Sequence, residues 1–249
     1  MNVTLFTTPR RFVTPFDFIQ TNALKSWALL DPKPNLVLYG DDWNEGLQAL
    51  DEARKLGFTI EPVLKRSPGG VPLVSCLFLG AAKIGEISCY INADIIVQND
   101  LLPALAKIAQ QHESFLAVCG RWNTQILDYM DFADGWQDKL WNKVQTQGSR
   151  MPECAIDLFA WRGIVWPTIP NFAIGRYKWD MWLVGNAIGR VPVIDITPAV
   201  RIIHQAHACV PWEESDALIN HSIQGQVSGL IGCTHTLTLD GAVKSTANL

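Results

Sequence analysis

Residues 3–6 form a short apolar run that predicts a strand, and the polar stretch Thr7-Thr8-Pro9-Arg10-Arg11 ends it. Apolar positions 19, 23, 24, 27 and 28 then recur at helical spacing, which predicts a helix over 18–29 closed by Asp31-Pro32-Lys33-Pro34. Residues 35–39 predict a second strand, bounded by those prolines and by Gly40-Asp41-Asp42. A helix over 45–56, stopped by Gly57, and a third strand over 58–63 follow. Such alternation predicts an α/β fold, with a mainly parallel central sheet and helices on both faces.

The rhythm continues with a loop over 63–72, a helix over 73–84, a strand over 88–97, a helix over 101–111 and a strand over 115–119. Beyond Arg121 it changes. Residues 121–147 are aromatic and acidic with poor strand signals, 155–160 and 164–166 are short apolar segments, and 175–189 has helical spacing around Trp179, Trp182 and Leu183. Residues 191–195 and 200–204 predict edge strands, and the tail after Thr236 is weakly patterned. With no linker, repeat or low-complexity tract, a single domain over 1–249 is the simplest organisation.

The run from Ser88 to Val97 places Asp94 inside an otherwise apolar strand-like segment. An ionised carboxylate in apolar surroundings needs a metal, a cation or a solvent-filled cleft. Asn92 and Asp94 are two apart, so on one continuous strand they share a face. Open α/β sheets bind ligands at the C-terminal edge of their strands, and this run points there.

Composition narrows the class. The formal net charge is -4 with no dense Lys/Arg block, which argues against a nucleic-acid partner. No apolar run approaches transmembrane length, and the N-terminal arginines follow the apolar stretch where a signal peptide would place them before it. The cysteines at 76, 89, 119, 154, 209 and 233 are widely spaced and mostly set in apolar segments, which reads as buried thiols of a cytoplasmic protein. Ten tryptophans, most in the second half, serve as core mass or as flat walls for sugars and bases.

Several polar groups fall where the strands should end. Thr7, Thr8 and Arg10 follow the first strand, where hydroxyls and a guanidinium suit a base or a diphosphate, or form a solvated turn. Asp41 and Asp42 follow the second, where a carboxylate would accept from a ribose hydroxyl or cap the next helix. Lys65 and Arg66, with Gly69-Gly70, form a loop able to close over phosphates. Neither a Gly-x-Gly-x-x-Gly nor a Walker sequence is present, which argues against a dinucleotide dehydrogenase and a P-loop NTPase. His204 and His207 can present two rings to one metal, and the lack of a Cys-x-x-Cys pair argues against structural zinc. Asp157 and Asp180, flanked by apolar and aromatic groups, suit general-base work or backbone capping.

Taken in order, Thr7-Thr8-Pro9-Arg10, Leu38-Tyr39-Gly40-Asp41, Tyr90-Ile91-Asn92-Ala93-Asp94, Ala155-Ile156-Asp157-Leu158-Phe159, Trp179-Asp180-Met181-Trp182-Leu183 and Ile203-His204-Gln205-Ala206-His207 resemble the GT-A type nucleotide-diphospho-sugar transferases, in particular small bacterial glycosyltransferase-like proteins. The resemblance spans about residues 3–240. It implies a GT-A-like, Rossmann-like fold with a donor-binding half over 1–120 and an acceptor-side half over 121–249. It also implies transfer of a sugar from a nucleoside diphosphate sugar to an acceptor hydroxyl on a glycan or small molecule, with Mn²⁺ or Mg²⁺. Thr7, Thr8, Arg10, Asp41, Lys65, Asn92 and Asp94 would bind the donor; Asp94, His204 and His207 the ion. Asp180, or Asp157, would act as base or as acceptor anchor. The family's Asp-x-Asp motif is here Asn92-Ala93-Asp94, so one anionic ligand is missing. Donor phosphates, a histidine of 204–207 or Asp41 and Asp42 would make up the deficit, or Arg10 and Lys65 would replace the metal. The same fold also admits a non-catalytic nucleotide-sugar or glycan-binding protein, or a nucleotide-sugar hydrolase.

Overall fold

The computed structural model describes residues 1–40, 47–62, 65–81, 85–208 and 214–248. Its first portion alternates as expected: β1 (Val3–Thr7), α1 (Phe16–Ala28), β2 (Asn35–Tyr39), α2 (Leu47–Lys55), β3 (Phe58–Glu61), α3 (Val74–Ala81) and β4 (Ile87–Ile91). The four strands are parallel, side by side in the order β4-β1-β2-β3. β1 is buried along its whole length because both of its faces are covered. Leu5 packs with Leu24 and Trp27 of α1, while Phe6, on the opposite face, packs with Phe78 of α3.

The apolar run over 88–97 is not one strand. β4 ends at Ile91, Ala93 and Asp94 form a turn closed by Ile95 N–H to Asn92 C=O (3.1 Å), and β5 (Ile95–Val97) departs into a second sheet. Asn92 N–H donates to Asp157 C=O (3.1 Å), whereas Asp94 C=O accepts from Gln205 N–H (3.3 Å). The backbone therefore changes partners between the two residues, and the strand-face relation expected of them gives way to a turn.

The second portion adds α4 (Leu101–Gln111), β6 (Phe115–Gly120), β7 (Trp122–Thr124), α5 (Trp136–Gln147), β8 (Ser149–Arg150), β9 (Ile156–Arg162), α6 (Trp179–Ala187), β10 (Val193–Asp195), β11 (Ile202–Gln205), α7 (Glu214–Ser222), β12 (His235–Leu237) and β13 (Val243–Ser245). β9 enters the main sheet antiparallel, between β4 and β6, and β10 and β12 continue parallel to β6, with β13 antiparallel at the edge. The described sheet is thus mixed, where the alternation alone predicts a mainly parallel one. Neither β10 nor β11 is an edge: β10 lies between β12 and β6, and β11 between β5 and β7 in the sheet β5-β11-β7-β8. The stretch read as strand-poor contains β7 and α5, whose Trp136, Leu140 and Val144 cover Ile96 and Ile203 of the second sheet.

Apolar residues of α1, α2 and α4 cover one face of the main sheet, and those of α3 and α6 cover the other. Trp161, Trp166, Trp179 and Trp182 belong to the second of these cores, which accounts for much of the tryptophan content as packing mass. Among the described residues no helix is long and apolar enough to cross a membrane.

Candidate functional site

A cleft of about 330 Å³ opens where β1 and β4 end, lined by Thr8, Arg10, Asn92, Asp94, Gly70 and Arg176 among others. Thr7 is buried beneath this rim and Thr8 lines it. Arg10 is held at its backbone: its N–H donates to Gln20 Oε1 (2.7 Å), and Gln20 Nε2 donates to its carbonyl (3.2 Å). Its guanidinium lies 5.4 Å from the centre of the Phe16 ring.

Asp94 meets both candidate histidines. Its Oδ2 lies 3.5 Å from His204 Nε2 and 3.3 Å from His207 Nε2, and one ligand atom from each residue falls within 4.8 Å of the others. The cause is topological: antiparallel pairing sets His204 of β11 opposite Ile95, the neighbour of Asp94, and His207 follows three residues on. His207 Nδ1 is 2.8 Å from Ala208 C=O, which only accepts, so Nδ1 carries the hydrogen. Neutral His207 therefore turns an Nε2 lone pair towards a carboxylate oxygen, a contact that needs a proton or a cation between them.

Among the described residues, Asp94 Oδ1 and His204 Nδ1 are buried with no hydrogen-bond partner. Burial alone would raise the Asp94 pKa, but the hydrogen bonds to His204 and His207 and their charges outweigh it and hold the group well below the usual carboxylate range. The hydrogen bond to Asp94 raises His207 in return. One carboxylate oxygen and two imidazole nitrogens, with the Nδ1–H of His207 fixed by a carbonyl, fit a divalent transition ion better than Mg²⁺, which prefers oxygen ligands.

Asp157 lies on β9 beside β4 and is buried. Arg121 Nη1 donates to both of its oxygens at 2.8 Å, and Asn92 Nδ2 donates to Oδ1. Burial pushes Asp157 up, and the Arg121 guanidinium opposes that. Asp180 sits in the first turn of α6 and accepts from Met181 N–H (2.8 Å). Burial pushes its carboxyl up to about 6, the Met181 hydrogen bond opposes this, and the charge of Asp157 adds to it. Asp180 is not among the cleft-lining residues, but it is within electrostatic reach of Asp157 and Arg121.

The structure thus brings Thr8, Arg10, Asn92 and Asp94 to one cleft, His204 and His207 to Asp94, and Asp157 to Asn92. Lys65 is exposed and outside the cleft lining; its backbone carbonyl accepts from Leu73 N–H (3.1 Å). Asp41 and Asp42 lie outside the described residues. Three contributors have no place in the expected set: Arg121, Gln20 and Arg176. Arg121 had a signal, since it directly follows a predicted strand as Thr8 does. A glutamine within a helix and an arginine in a loop carry none.

The same architecture occurs in solved structures. S. aureus TarS 1–349 superposes with a TM-score of 0.52 at 14% identity, over 82% of this chain and 60% of that one. GalNAc-T7, solved with UDP, GalNAc and Mn²⁺, superposes with a TM-score of 0.51 at 16% identity, over 83% of this chain and 43% of that one. The α/β fold with its mixed sheet resembles that of both solved proteins. The chain spans less than two thirds of the length of either protein. No protein-family model and no curated protein matches it.

Proposed function

We propose that this GT-A-fold protein transfers a glycosyl group from a nucleoside diphosphate sugar to an acceptor hydroxyl, with a divalent cation, Mn²⁺ before Mg²⁺, held by Asp94, His204 and His207. The convergence of these three side chains on one point, with Asp94 also forming the cleft wall beside Thr8 and Arg10, carries the reading. When bound, such an ion would neutralise charge on the diphosphate leaving group.

Thr8 and Arg10, the latter clamped by Gln20, supply a hydroxyl and a guanidinium for the donor, and Lys65, outside that lining, and Asp41, outside the described residues, stay candidates on their sequence positions. Asp180 is the first choice for base: a carboxyl with a pKa of about 6 is largely ionised at neutral pH and still accepts a proton. Asp157 stands second, because Arg121 and Asn92 already occupy its oxygens. Residues 1–120 would then hold the donor and 121–249 the acceptor side, with His204 and His207 reaching across to the donor's ion.

The test is calorimetry of a panel of nucleoside diphosphate sugars with and without Mn²⁺, followed by assay of nucleotide release with candidate acceptors. The reading expects at least one donor to bind more tightly with Mn²⁺, the gain to vanish in Asp94→Asn, and release to require an acceptor. Release without an acceptor would make the protein a hydrolase, and binding without release a non-catalytic binder. No donor binding under either condition would overturn the reading.

A further inference from the structure

Asn92 occupies the position at which a second carboxylate would stand beside Asp94, and all of its hydrogen-bonding groups already have work. Its backbone N–H donates to Asp157 C=O (3.1 Å), and its carbonyl accepts from Ile95 N–H (3.1 Å) to close the turn that presents Asp94. Its Nδ2 donates to Asp157 Oδ1, and its Oδ1 accepts from Tyr90 Oη at 2.8 Å. An ionised carboxylate only accepts, so the amino end of the amide has to face Asp157. Tyr90 and Asp157 are each 2% exposed, and water does not stand in for a missing partner there.

A carboxylate at position 92 would set an oxygen against Asp157 Oδ1 with no hydrogen between them. Two buried anions in hydrogen-bond contact repel, and one Arg121 guanidinium serves only the first. An amide of the same shape gives an unbroken series of donors and acceptors from Tyr90 to Arg121.

We propose that Asn92 is a positioning residue that locks Asp157 and the Asp94 turn together, and that its amide is required by Asp157 instead of being a degraded metal ligand. This rests on the reading of Asp94, His204 and His207 as the ion site. Its consequence is that restoring the acid does not restore a ligand.

Three variants decide it: Asn92→Asp, Asp157→Asn and the exchange of both. Asn92→Asp is expected to bind Mn²⁺, measured by calorimetry with the metal alone, no more tightly than the native chain, and to lower Tm by about 5 °C or more. In the exchanged double variant, the carboxylate introduced at position 92 accepts from Tyr90 and from the new amide at 157, whose oxygen keeps one of the two Arg121 hydrogen bonds while the other is lost. This variant should regain part of the lost Tm, although Asp157→Asn alone lowers it. Tightening of Mn²⁺ binding by about tenfold or more in Asn92→Asp, the gain an added anionic ligand brings, overturns the proposal. So does a double variant no more stable than Asn92→Asp. Should Asn92→Asp fail to fold, the exchange is read alone: it is expected to fold, and its failure overturns the lock. Absence of Mn²⁺ binding by the native protein would sink the ion site itself, and the melting comparison would still judge the lock.

Discussion

At Asp180 the cost of burial and the chemistry proposed for the residue share one origin. Its folded pKa of about 6 exceeds the ordinary 3.8, so between these values the native state holds a proton that the unfolded chain has released. Stability therefore falls as pH rises from about 4 to 6 and stays lower above that, by about 3 kcal/mol for a shift of this size. Asp180→Asn removes that charge and keeps an oxygen for Met181 N–H. The expected outcome is a Tm about 6–12 °C higher than native at pH 7.5 and little different at pH 4, alongside a fall in transfer of about a hundredfold. A lower Tm at pH 7.5 would make the carboxylate a structural partner. Side chains of this kind were legible in the sequence because each is polar where its neighbours are apolar, as Asp94, Asp157 and Asp180 are. Gln20 was not, since a buried glutamine clamping a loop backbone looks like any polar helix position.

Elements built from local periodicity were read close to their observed bounds; the helix predicted over 101–111 is α4, Leu101–Gln111. What periodicity did not carry is pairing. Ile87–Ile91 and Ile95–Val97 are equally apolar, and only hydrogen bonds to two different sheets separate them. β9 reads as one more short apolar segment, yet its antiparallel insertion between β4 and β6 is what brings Asp157 to Asn92. A further contact between elements links the 66–72 turn to α7. Asp216 of α7 is fully buried against Gly69, and Arg176 of the cleft wall stands 4.0 Å from its carboxylate. A Cβ at 69 would press on that carboxylate, 2.9 Å from its Cγ, whereas one at Gly70 (φ +79) meets open space and only backbone strain. Gly69→Ala should then cost about 2 kcal/mol from overpacking, roughly 5 °C in Tm, and weaken donor binding through Arg176. Gly70→Ala should cost about 1 kcal/mol and leave the Asp216–Arg176 pair undisturbed. Equal effects in calorimetry and melting would show that Asp216 yields freely and that the contact positions nothing.

On the scale of the whole molecule, the candidate ion joins distant parts of the chain. Asp94 comes from the turn where the main sheet hands over to the second sheet, and His204 and His207 come from β11 and the loop after it, more than a hundred residues later. Three donor atoms are already gathered, and among the described residues Asp94 Oδ1 is buried without a hydrogen bond, so a cation would add attraction there. An unfolded chain does not gather these donors, so binding to the native state alone stabilises it. At a free Mn²⁺ concentration about a hundred times its dissociation constant this amounts to about 2.7 kcal/mol, or about 5–10 °C in Tm for a protein of this size. The expected result in a melting experiment is therefore a Tm that climbs with Mn²⁺, climbs less with Mg²⁺ at equal concentration, and returns to its starting value with a chelator. In a variant carrying both His204→Ala and His207→Ala the climb should disappear even with Asp94 intact, because one carboxylate is left to hold the ion. A climb of the same size for Mg²⁺, or one that survives loss of both imidazoles, would place the cation elsewhere and remove the support that the donor set gives to the proposed reaction.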